Sequence, residues 1–325
     1  MNTDVNDCVK GHTRESRPFG SIARTRGAHT ASADLAGGTA PAAHNYREVA
    51  FRHLGDTRTP PEQPHATTNT SRKQDAMNGN QRAAIVTGGS AGIGLAIAEA
   101  LADEGYNLTI VARDQSKLTE AATHLRGRGV EVLPVSGNLA HSADCEAAVA
   151  SHVEQYGRTD VLINNAGLGL SGNIADLATP KLDLHLNLNL RSAYLLMQSC
   201  IPTLQVAGAE HGKALIVNVS SIFGKLPRAG VAAYSMTKAA MIALSQSAHG
   251  ELSRLGIQVT AICPGLVETP GSSWMEKDPS AMLPPSDVAE AVRFLLRTSP
   301  RCSVPEITLT TPPGPDVHYV DLPWT

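Results

Sequence analysis

Ala83-Ala-Ile-Val-Thr87-Gly88-Gly-Ser-Ala-Gly92-Ile-Gly94 is the stretch that decides the fold of this chain. It opens with an apolar run typical of a buried strand, and the segment Leu95–Glu104 after the glycines predicts a helix. Glycines let the backbone turn tightly and approach a pyrophosphate, whose charge the first helical N–H groups face. The stretch therefore predicts a dinucleotide-binding turn. Its candidate contacts are Gly88, Ser90, Gly92, Ile93 and Gly94.

Strand-like and helix-like segments alternate along the rest of the chain. Strands rich in Val, Ile and Leu, separated by helices, predict parallel pairing and a sheet covered on both faces. The fold class is therefore α/β, a doubly wound Rossmann-type parallel sheet of about seven strands with helices on both faces. The predicted strands are Ala83–Thr87, Asn107–Ala112, Val130–Val135, Val161–Asn164, Ala214–Val219, Gln258–Ile262 and Glu306–Leu309. The predicted helices are Leu95–Glu104, Asp114–Arg126, Ser142–Tyr156, Lys181–Val206, Tyr234–Leu255 and Ser286–Thr298.

Residues 1–78 differ in composition from the rest of the chain. They are rich in Thr, Ala, Gly, Pro, His and Arg and have no sustained period, so they predict a disordered N-terminal extension. A partner-binding arm is one alternative, and an over-extended translation start, with Met77 as the true start, is another. The predicted Rossmann-fold domain spans 79–311, and a proline-containing irregular tail spans 312–325.

Composition excludes several classes of partner. The 325 residues carry a formal net charge of -3, so neither sign of charge favours nucleic acid or an anionic membrane. The five cysteines are scattered without C-x-x-C spacing, which predicts a reducing compartment and no disulfide framework or metal site. No apolar run approaches the ~20 residues that span a bilayer, and the N-terminus lacks a secretory signal. We predict a cytoplasmic protein.

Tyr234 and Lys238 lie one helical turn apart, at positions i and i+4 of a predicted helix. An ammonium held beside a phenol favours the phenolate, so this pair predicts a lowered pKa for Tyr234 and a role in proton transfer. Ser221, at the end of an apolar strand, is placed to share the site. The alternative is that the pair is simply two exposed helix residues.

The end of the second predicted strand bears on the choice of nucleotide. An acid there would hydrogen-bond the ribose diol of NAD and repel a 2′-phosphate, but Ala112 takes that place. Arg113 follows and offers a guanidinium that pairs well with phosphate, and Ser90 can add a hydrogen bond. We therefore predict NADP(H) as the preferred cofactor and NAD(H) as the alternative. Arg113 as an ordinary exposed loop residue is the competing interpretation.

Asn164-Asn165-Ala166-Gly167 ends the fourth predicted strand. Two amides at a strand end can tie neighbouring strands together, and we expect one of them to be architectural. The small Ala166 and Gly167 leave room for the nucleotide, so Asn165, Ala166 and Gly167 are candidate cofactor contacts.

Taken together, the motifs resemble the short-chain dehydrogenase/reductase family, in its compact single-domain branch. The resemblance covers about residues 82–311 and follows the family's order and spacing. It lies in T-G-G-S-A-G-I-G (87–94), D-V-L-I-N-N-A-G (160–167), N-L-R-S-A-Y (189–194), V-N-V-S-S (217–221), Y-S-M-T-K (234–238) and P-G-L-V-E-T (264–269).

The resemblance implies a catalytic tetrad of Asn189, Ser221, Tyr234 and Lys238. Tyr234 would exchange a proton with the substrate oxygen, Ser221 would stabilise that oxygen, and Lys238 would bind the nicotinamide ribose. Asn189, at a helix irregularity, would hold a water that links Lys238 to solvent. The family often carries Asp where this chain has Asn138, and its frequent glycine-rich C-terminal ending is absent. Further implied cofactor contacts are Asn138, Leu139, Tyr234, Lys238, Pro264, Gly265, Val267 and Thr269.

The implied function is an NAD(P)(H)-dependent oxidoreductase acting on a carbonyl or secondary alcohol, similar to carbonyl or 3-oxoacyl reductases. The alternatives are an NAD-dependent sugar, polyol or natural-product alcohol dehydrogenase and, outside enzymes, an NADP(H)-sensing regulatory protein. Apolar residues on the predicted helices 181–206 and 234–255 imply a homodimer or homotetramer, as in the family; they are Leu190, Tyr194, Leu195, Met241, Leu244 and Leu252. The candidate walls of the substrate pocket, with core packing as the alternative, are Leu168, Leu170, Ile222, Phe223, Leu266 and the loop 270–285 with Trp274 and Met275. We expect this loop to act as a mobile lid.

Overall fold

A computed structural model of the protein describes residues 81–275 and 278–312, without the side chains of residues 273–275 and 279. The predicted extension over 1–78 lies outside the described residues, as do the predicted tail beyond 312 and the side chains of Trp274 and Met275. Within the described residues, no helix combines the length and the apolar character needed to cross a membrane.

The described residues form one seven-stranded sheet in which every pairing is parallel. The strands are β1 (Ala83–Thr87), β2 (Asn107–Ala112), β3 (Val132–Ser136), β4 (Val161–Asn164), β5 (Ala214–Val219), β6 (Ile257–Pro264) and β7 (Glu306–Leu309). Their order across the sheet is β3-β2-β1-β4-β5-β6-β7. This doubly wound arrangement confirms the predicted fold class and places the switch in strand order between β1 and β4.

Helices connect the strands in the described part of the chain. They are α1 (Gly92–Asp103), α2 (Gln115–Arg126), α3 (Ser142–Tyr156), α4 (Thr179–Leu186), α5 (Ser192–His211), α6 (Ala232–Leu252) and α7 (Pro285–Arg297). A π-helical turn, Asn187–Arg191, joins α4 to α5. Short 3₁₀ turns cover Ile222–Gly224, Ser253–Leu255, Pro270–Met275 and Pro279–Ala281.

The sheet separates two hydrophobic layers, and alternation along each strand decides which layer a side chain joins. In β1, Ala84 and Val86 pack with α1, α2 and α7, whereas Ile85 packs with α3, α5 and α6. Side chains of a strand point alternately to opposite faces, so a buried parallel strand must be apolar throughout. The sequence AAIVT, buried along its whole length, meets that requirement.

The helix predicted over Lys181–Val206 differs from the structure in its ends and its continuity. It begins at Thr179, ends at His211 before Gly212 in the left-handed region (φ 76°), and is interrupted by the π turn. In that turn the Ser192 N–H donates to the carbonyl of Asn187, five residues back. The irregularity expected at Asn189 is therefore present. The other predicted helices and strands differ from the structure by a few residues at their ends, where element boundaries commonly vary.

Two residues that the sequence suggested for an outer helix face belong to the core. Met241 and Leu252 of α6 are 1% and 8% exposed, so they pack inward. Tyr194 on α5 is exposed, while Leu190, Leu195 and Leu244 are half-buried.

Candidate active site

The turn between β1 and α1 is built to leave helical N–H groups unoccupied. Helix α1 begins after Ala91 with no capping side chain and no acid in its first turn. A Cβ at Gly94 would lie 2.1 Å from the carbonyl oxygen of Gly88, so a side chain there would displace the turn itself. Open N–H groups and a positive helix end suit a phosphate, so this turn fits the pyrophosphate of a dinucleotide.

Thr87, the last residue of β1, holds the end of β4 in place. Its side chain is 1% exposed, and Oγ1 donates to the carbonyl of Ile163 at 3.1 Å. The same oxygen accepts the backbone N–H groups of Asn165 and Ala166, each at 2.9 Å. One hydroxyl therefore fixes the backbone at the switch point. Sequence reasoning missed this role, because the partners of Thr87 are main-chain groups distant in the chain.

Both amides at the end of β4 tie strands together. Asn164 Nδ2 donates to Asn218 Oδ1 of β5 at 2.8 Å, whereas Asn165 Nδ2 donates to the carbonyl of Thr87 in β1 at 2.9 Å. The sequence predicted one architectural asparagine, whereas in the structure both side chains bond to a neighbouring strand. Any contact of Asn165 with a nucleotide would be additional to this bond.

The end of β2 lies beside the glycine turn that follows β1. The Gly88 N–H donates to the carbonyl of Val111 at 2.7 Å, which brings the two strand ends together. Arg113 follows β2 with an exposed side chain, and Ser90 is partly exposed in the neighbouring turn. This arrangement leaves both side chains at the edge where the adenosine ribose of a dinucleotide binds in this fold class.

The two candidate cofactor contacts that follow β3, Asn138 and Leu139, have their side chains engaged within the protein. Asn138 Oδ1 accepts the N–H of Ala140 at 3.3 Å, while its own N–H donates to Asp144 at 2.7 Å. Leu139 is 3% exposed and packs in the core. A Leu139 contact with a nucleotide would therefore use its backbone, since its side chain is committed to packing.

The loop after β6 reaches back to the glycine turn. The Gly265 N–H donates to the carbonyl of Leu309, and Val267 is 5% exposed and bridges to Leu283. A Cβ built at Gly92 would lie 3.0 Å from the side chain of Thr269. The predicted contacts Pro264, Gly265, Val267 and Thr269 thus lie on a segment that passes over the carboxyl edge of the sheet.

Ser220 and Ser221 are adjacent in sequence but have different partners. Ser220 Oγ donates to the backbone carbonyl of Lys238 at 2.7 Å, which anchors the strand end to α6. Ser221 Oγ accepts the N–H of Phe223 at 3.2 Å, and hydrogen bonding with Ser221 acts to lower the pKa of Tyr234. This difference favours Ser221, as the sequence predicted, as the hydroxyl beside the phenol.

The pKa of Tyr234 differs from the sequence expectation. Burial of the phenol raises its pKa above the ordinary value, and hydrogen bonding with Ser221 acts in the opposite direction. The expected lowering by Lys238 is therefore wrong for this structure. The physical reason is that burial dominates, while Lys238 Nζ lies 5.7 Å from the ring centroid and donates elsewhere.

Lys238 is a buried cation on α6. It is 4% exposed, and Nζ donates to the carbonyl of Val219, the last residue of β5, at 2.8 Å. Burial lowers its pKa to about 8, with the nearby Cys263 opposing that shift. The group stays largely protonated at neutral pH but loses its charge readily above it.

Asn189 and Lys238 meet at Gly167. A Cβ at Gly167 would lie 3.2 Å from Asn189 Oδ1 and 3.5 Å from Lys238 Nζ, so a larger residue would crowd both. Asn189 is fully buried in the π turn, and its amide accepts the N–H of Leu168 and donates to the Leu168 carbonyl. Its Nδ2 also reaches Thr237 Oγ1 at 3.1 Å. The side chain therefore braces the loop after β4.

The residues predicted to form an apolar wall of the substrate pocket divide into two groups by their exposure. Ile222 is 7% exposed and belongs with the buried residues. Leu168, Leu170, Phe223 and Leu266 are partly exposed near the strand ends. The Phe223 ring meets the Tyr234 ring edge-on at 6.4 Å between centroids, which places an apolar surface directly beside the phenol.

The fold and site define a class: an α/β nucleotide-binding protein with a serine, tyrosine and lysine gathered at the carboxyl edge of a parallel sheet. The model of the short chain dehydrogenase family matches residues 82–279. The chain belongs to the short-chain dehydrogenase/reductase family and is an oxidoreductase of that family.

Relatives and solved structures agree with this membership. An uncharacterized oxidoreductase of Staphylococcus epidermidis is 31% identical over 70% of this chain and 96% of its own length. A variant of actinorhodin polyketide ketoreductase, in complex with NADPH, is 30% identical, with a TM-score of 0.66 over 71% of this chain and 97% of its own. L-sorbose reductase from Gluconobacter frateurii, in complex with NADPH and L-sorbose, is 30% identical, with a TM-score of 0.65 over 71% and 95% of the two chains.

Proposed function

We propose that the protein is an NADP(H)-preferring oxidoreductase that interconverts a carbonyl and a secondary alcohol, with Tyr234 as the general acid and base. The observation that carries the proposal is the pairing of Tyr234 with Ser221 on one side and the buried cation of Lys238 on the other. The nicotinamide, when bound, supplies or accepts the hydride.

The protein's own groups account for the proton. Tyr234, with its raised pKa, is protonated at neutral pH and can donate to a carbonyl oxygen that gains negative charge. Ser221 can donate a hydrogen bond to the same oxygen and stabilise that charge. The Lys238 ammonium lies 5.7 Å from the centre of the Tyr234 ring, but burial outweighs any effect on the phenol, whose pKa stays raised.

The preference for NADP(H) rests on the end of β2. Ala112 occupies the place at which an acid would repel a 2′-phosphate, and the exposed guanidinium of Arg113 follows it. The NADPH bound to the polyketide ketoreductase and to the sorbose reductase supports the same choice. NAD(H) is the alternative cofactor.

The proposed substrate class rests on partly exposed apolar residues near the strand ends, of which Phe223 contacts Tyr234. Phe223, Leu168 and Leu170 are apolar and partly exposed, which suits a small carbonyl compound with an apolar flank. The solved relatives reduce a polyketide and a sugar ketone by their names, so both chemistries belong in a substrate panel.

A homo-oligomer is part of the proposal. Tyr194 and Val206 on α5 are 53% and 65% exposed, and Met236 on α6 is 45% exposed. Apolar side chains exposed on two long helices favour association with a second copy. Light scattering at micromolar concentration measures this, and a monomer contradicts the oligomer while leaving the catalytic proposal intact.

The experiment that tests the function is a panel of ketones and secondary alcohols, followed by NADPH absorbance, with wild type and Tyr234→Phe. We expect wild-type turnover to fall at least about 100-fold in Tyr234→Phe, since the general acid is lost. The dissociation constant of NADPH should stay within about twofold, because the phenyl ring is retained. Unchanged turnover in Tyr234→Phe contradicts the assignment.

A further inference from the structure

His185 is a fully buried imidazole on α4 that the catalytic proposal does not use. Its Nδ1 lies 2.7 Å from the carbonyl of Lys181, and since a carbonyl can only accept, Nδ1 carries the proton. Its Nε2 accepts the backbone N–H of Leu170 at 3.2 Å. The ring is therefore neutral and bonded through both nitrogens, once within its helix and once to the loop after β4.

The loop that His185 holds is also held by Asn189. The two residues occupy positions i and i+4, so they lie one turn apart on the same side of the helical segment. Asn189 bonds both the N–H and the carbonyl of Leu168, and His185 takes the N–H of Leu170. Two buried side chains thus fix successive backbone groups of residues 168–170.

The far end of the same loop is fastened to the segment that precedes Tyr234. The Gly172 N–H donates to the carbonyl of Gly230 at 2.8 Å, and Gly172 forms an isolated bridge with Val231. Helix α6, which carries Tyr234, begins one residue later at Ala232. The position of Leu168–Leu170 is therefore set from α4 and from the start of α6.

We propose that His185 is a positioning residue that fixes the substrate wall formed by Leu168 and Leu170 relative to Tyr234. This inference rests on the proposed function, because it takes that wall as part of the carbonyl site. An apolar residue at position 185 would leave the Leu170 N–H without its acceptor. A neutral imidazole can accept this N–H and donate to Lys181 at once.

Three variants separate the two bonds of His185. His185→Gln places an acceptor near the position of Nε2, so it keeps the bond to Leu170. His185→Asn is its matched control, because its shorter amide can still donate to the Lys181 carbonyl but does not reach the loop. His185→Leu removes both bonds while it keeps an apolar volume in the core.

The kinetic readout is the KM for the carbonyl substrate, measured beside the dissociation constant of NADPH. We expect KM to rise about tenfold in His185→Asn and His185→Leu and less than about threefold in His185→Gln. NADPH binding should change less than about twofold, because its phosphate turn lies at β1. Equal KM effects in the Gln and Asn variants, or an unchanged KM in His185→Leu, overturn the proposal.

Amide hydrogen exchange of residues 166–172 gives a readout that needs no turnover. Protection of the Leu170 N–H should persist in His185→Gln and fall at least about tenfold in His185→Asn and His185→Leu. Wild-type protection of that amide in His185→Leu overturns the proposal. A wild-type enzyme that binds NADPH but reduces no carbonyl contradicts the proposed function alone, and the exchange comparison still decides whether His185 holds the loop.

Discussion

Lys238 Nζ lies 5.7 Å from the centre of the Tyr234 ring but donates its hydrogen bond to the carbonyl of Val219, at 2.8 Å. The ammonium therefore lies over the phenol ring, while its hydrogen bond fixes it to the end of β5. Burial of the Lys238 ammonium costs free energy, because the charged group loses its hydration. The cost appears as the lowered pKa of Lys238, about 8, and it makes the stability of the protein depend on pH.

Replacement of Lys238 by Met should remove that dependence. Between about pH 8 and 10.5 the folded protein holds a neutral Lys238, whereas the unfolded chain still binds the proton. The unfolded state then binds more protons, so wild-type stability gains with rising pH across this window, by at most on the order of 3 kcal/mol. Urea unfolding of both proteins from pH 7 to 10.5 measures the difference. Cys263 and Tyr234 face Lys238 and titrate in both proteins, so parallel stability curves contradict the prediction.

Ser221→Ala should shift the pH dependence of alcohol oxidation upward. Hydrogen bonding with Ser221 lowers the pKa of Tyr234, so its loss leaves burial unopposed and the phenolate forms at higher pH. We also expect turnover to fall about 100-fold, since one donor to the substrate oxygen is lost. The measurement is the rate of alcohol oxidation with NADP⁺ as a function of pH.

Ser220→Ala is the matched control for that variant. Ser220 bonds the Lys238 carbonyl, so its loss should cost about 1 kcal/mol of stability and leave the alkaline limb of the profile in place. Identical pH profiles for the two variants would contradict a structural role for Ser220 and a catalytic role for Ser221.

Arg113→Ala should weaken NADPH binding at least about tenfold and leave NADH binding nearly unchanged, because a guanidinium–phosphate contact serves only the 2′-phosphate. Titration of both nucleotides by fluorescence measures the two dissociation constants. Arg254→Ala is a suitable control, since Arg254 is also exposed but precedes β6, at the opposite edge of the sheet. Equal losses for NADPH and NADH in Arg113→Ala argue against a preference set at this position.

The sequence predicted the fold class because the fold has local signatures, and the predicted site rests on signatures of the same kind. An apolar run before a glycine turn identifies β1, and the family resemblance assigns the catalytic serine to Ser221 rather than Ser220. These features depend on residue type and short-range order, which a single sequence displays directly.

The remaining features depend on contacts across the chain. His185 and Thr87 bond backbone N–H groups 15 and 78 residues away, and a main-chain donor leaves no mark on residue type. The pKa of Tyr234 could not be predicted for a related reason, since the sequence shows its neighbour Lys238 but not how deeply the fold buries the phenol. Burial is a property of packing, so it becomes visible only in the structure.

Thr87→Val tests whether one hydroxyl holds the switch point together. Valine keeps the shape of threonine but leaves the N–H groups of Asn165 and Ala166 without an acceptor inside the protein. We expect a loss of about 2 kcal/mol or more in stability, since each buried donor left unpaired costs about 1–3 kcal/mol. NADPH binding should weaken as well, because the same residues lead into Gly167 beside Lys238.

Thr260→Val is the matched control. Thr260 is equally buried, but its hydroxyl only donates one bond, to the carbonyl of Val304. Its replacement should therefore cost about 1 kcal/mol of stability and leave nucleotide binding unchanged. Chemical unfolding and NADPH titration of both variants decide the point, and equal effects would mean that Thr87 contributes no more than any buried threonine of the sheet.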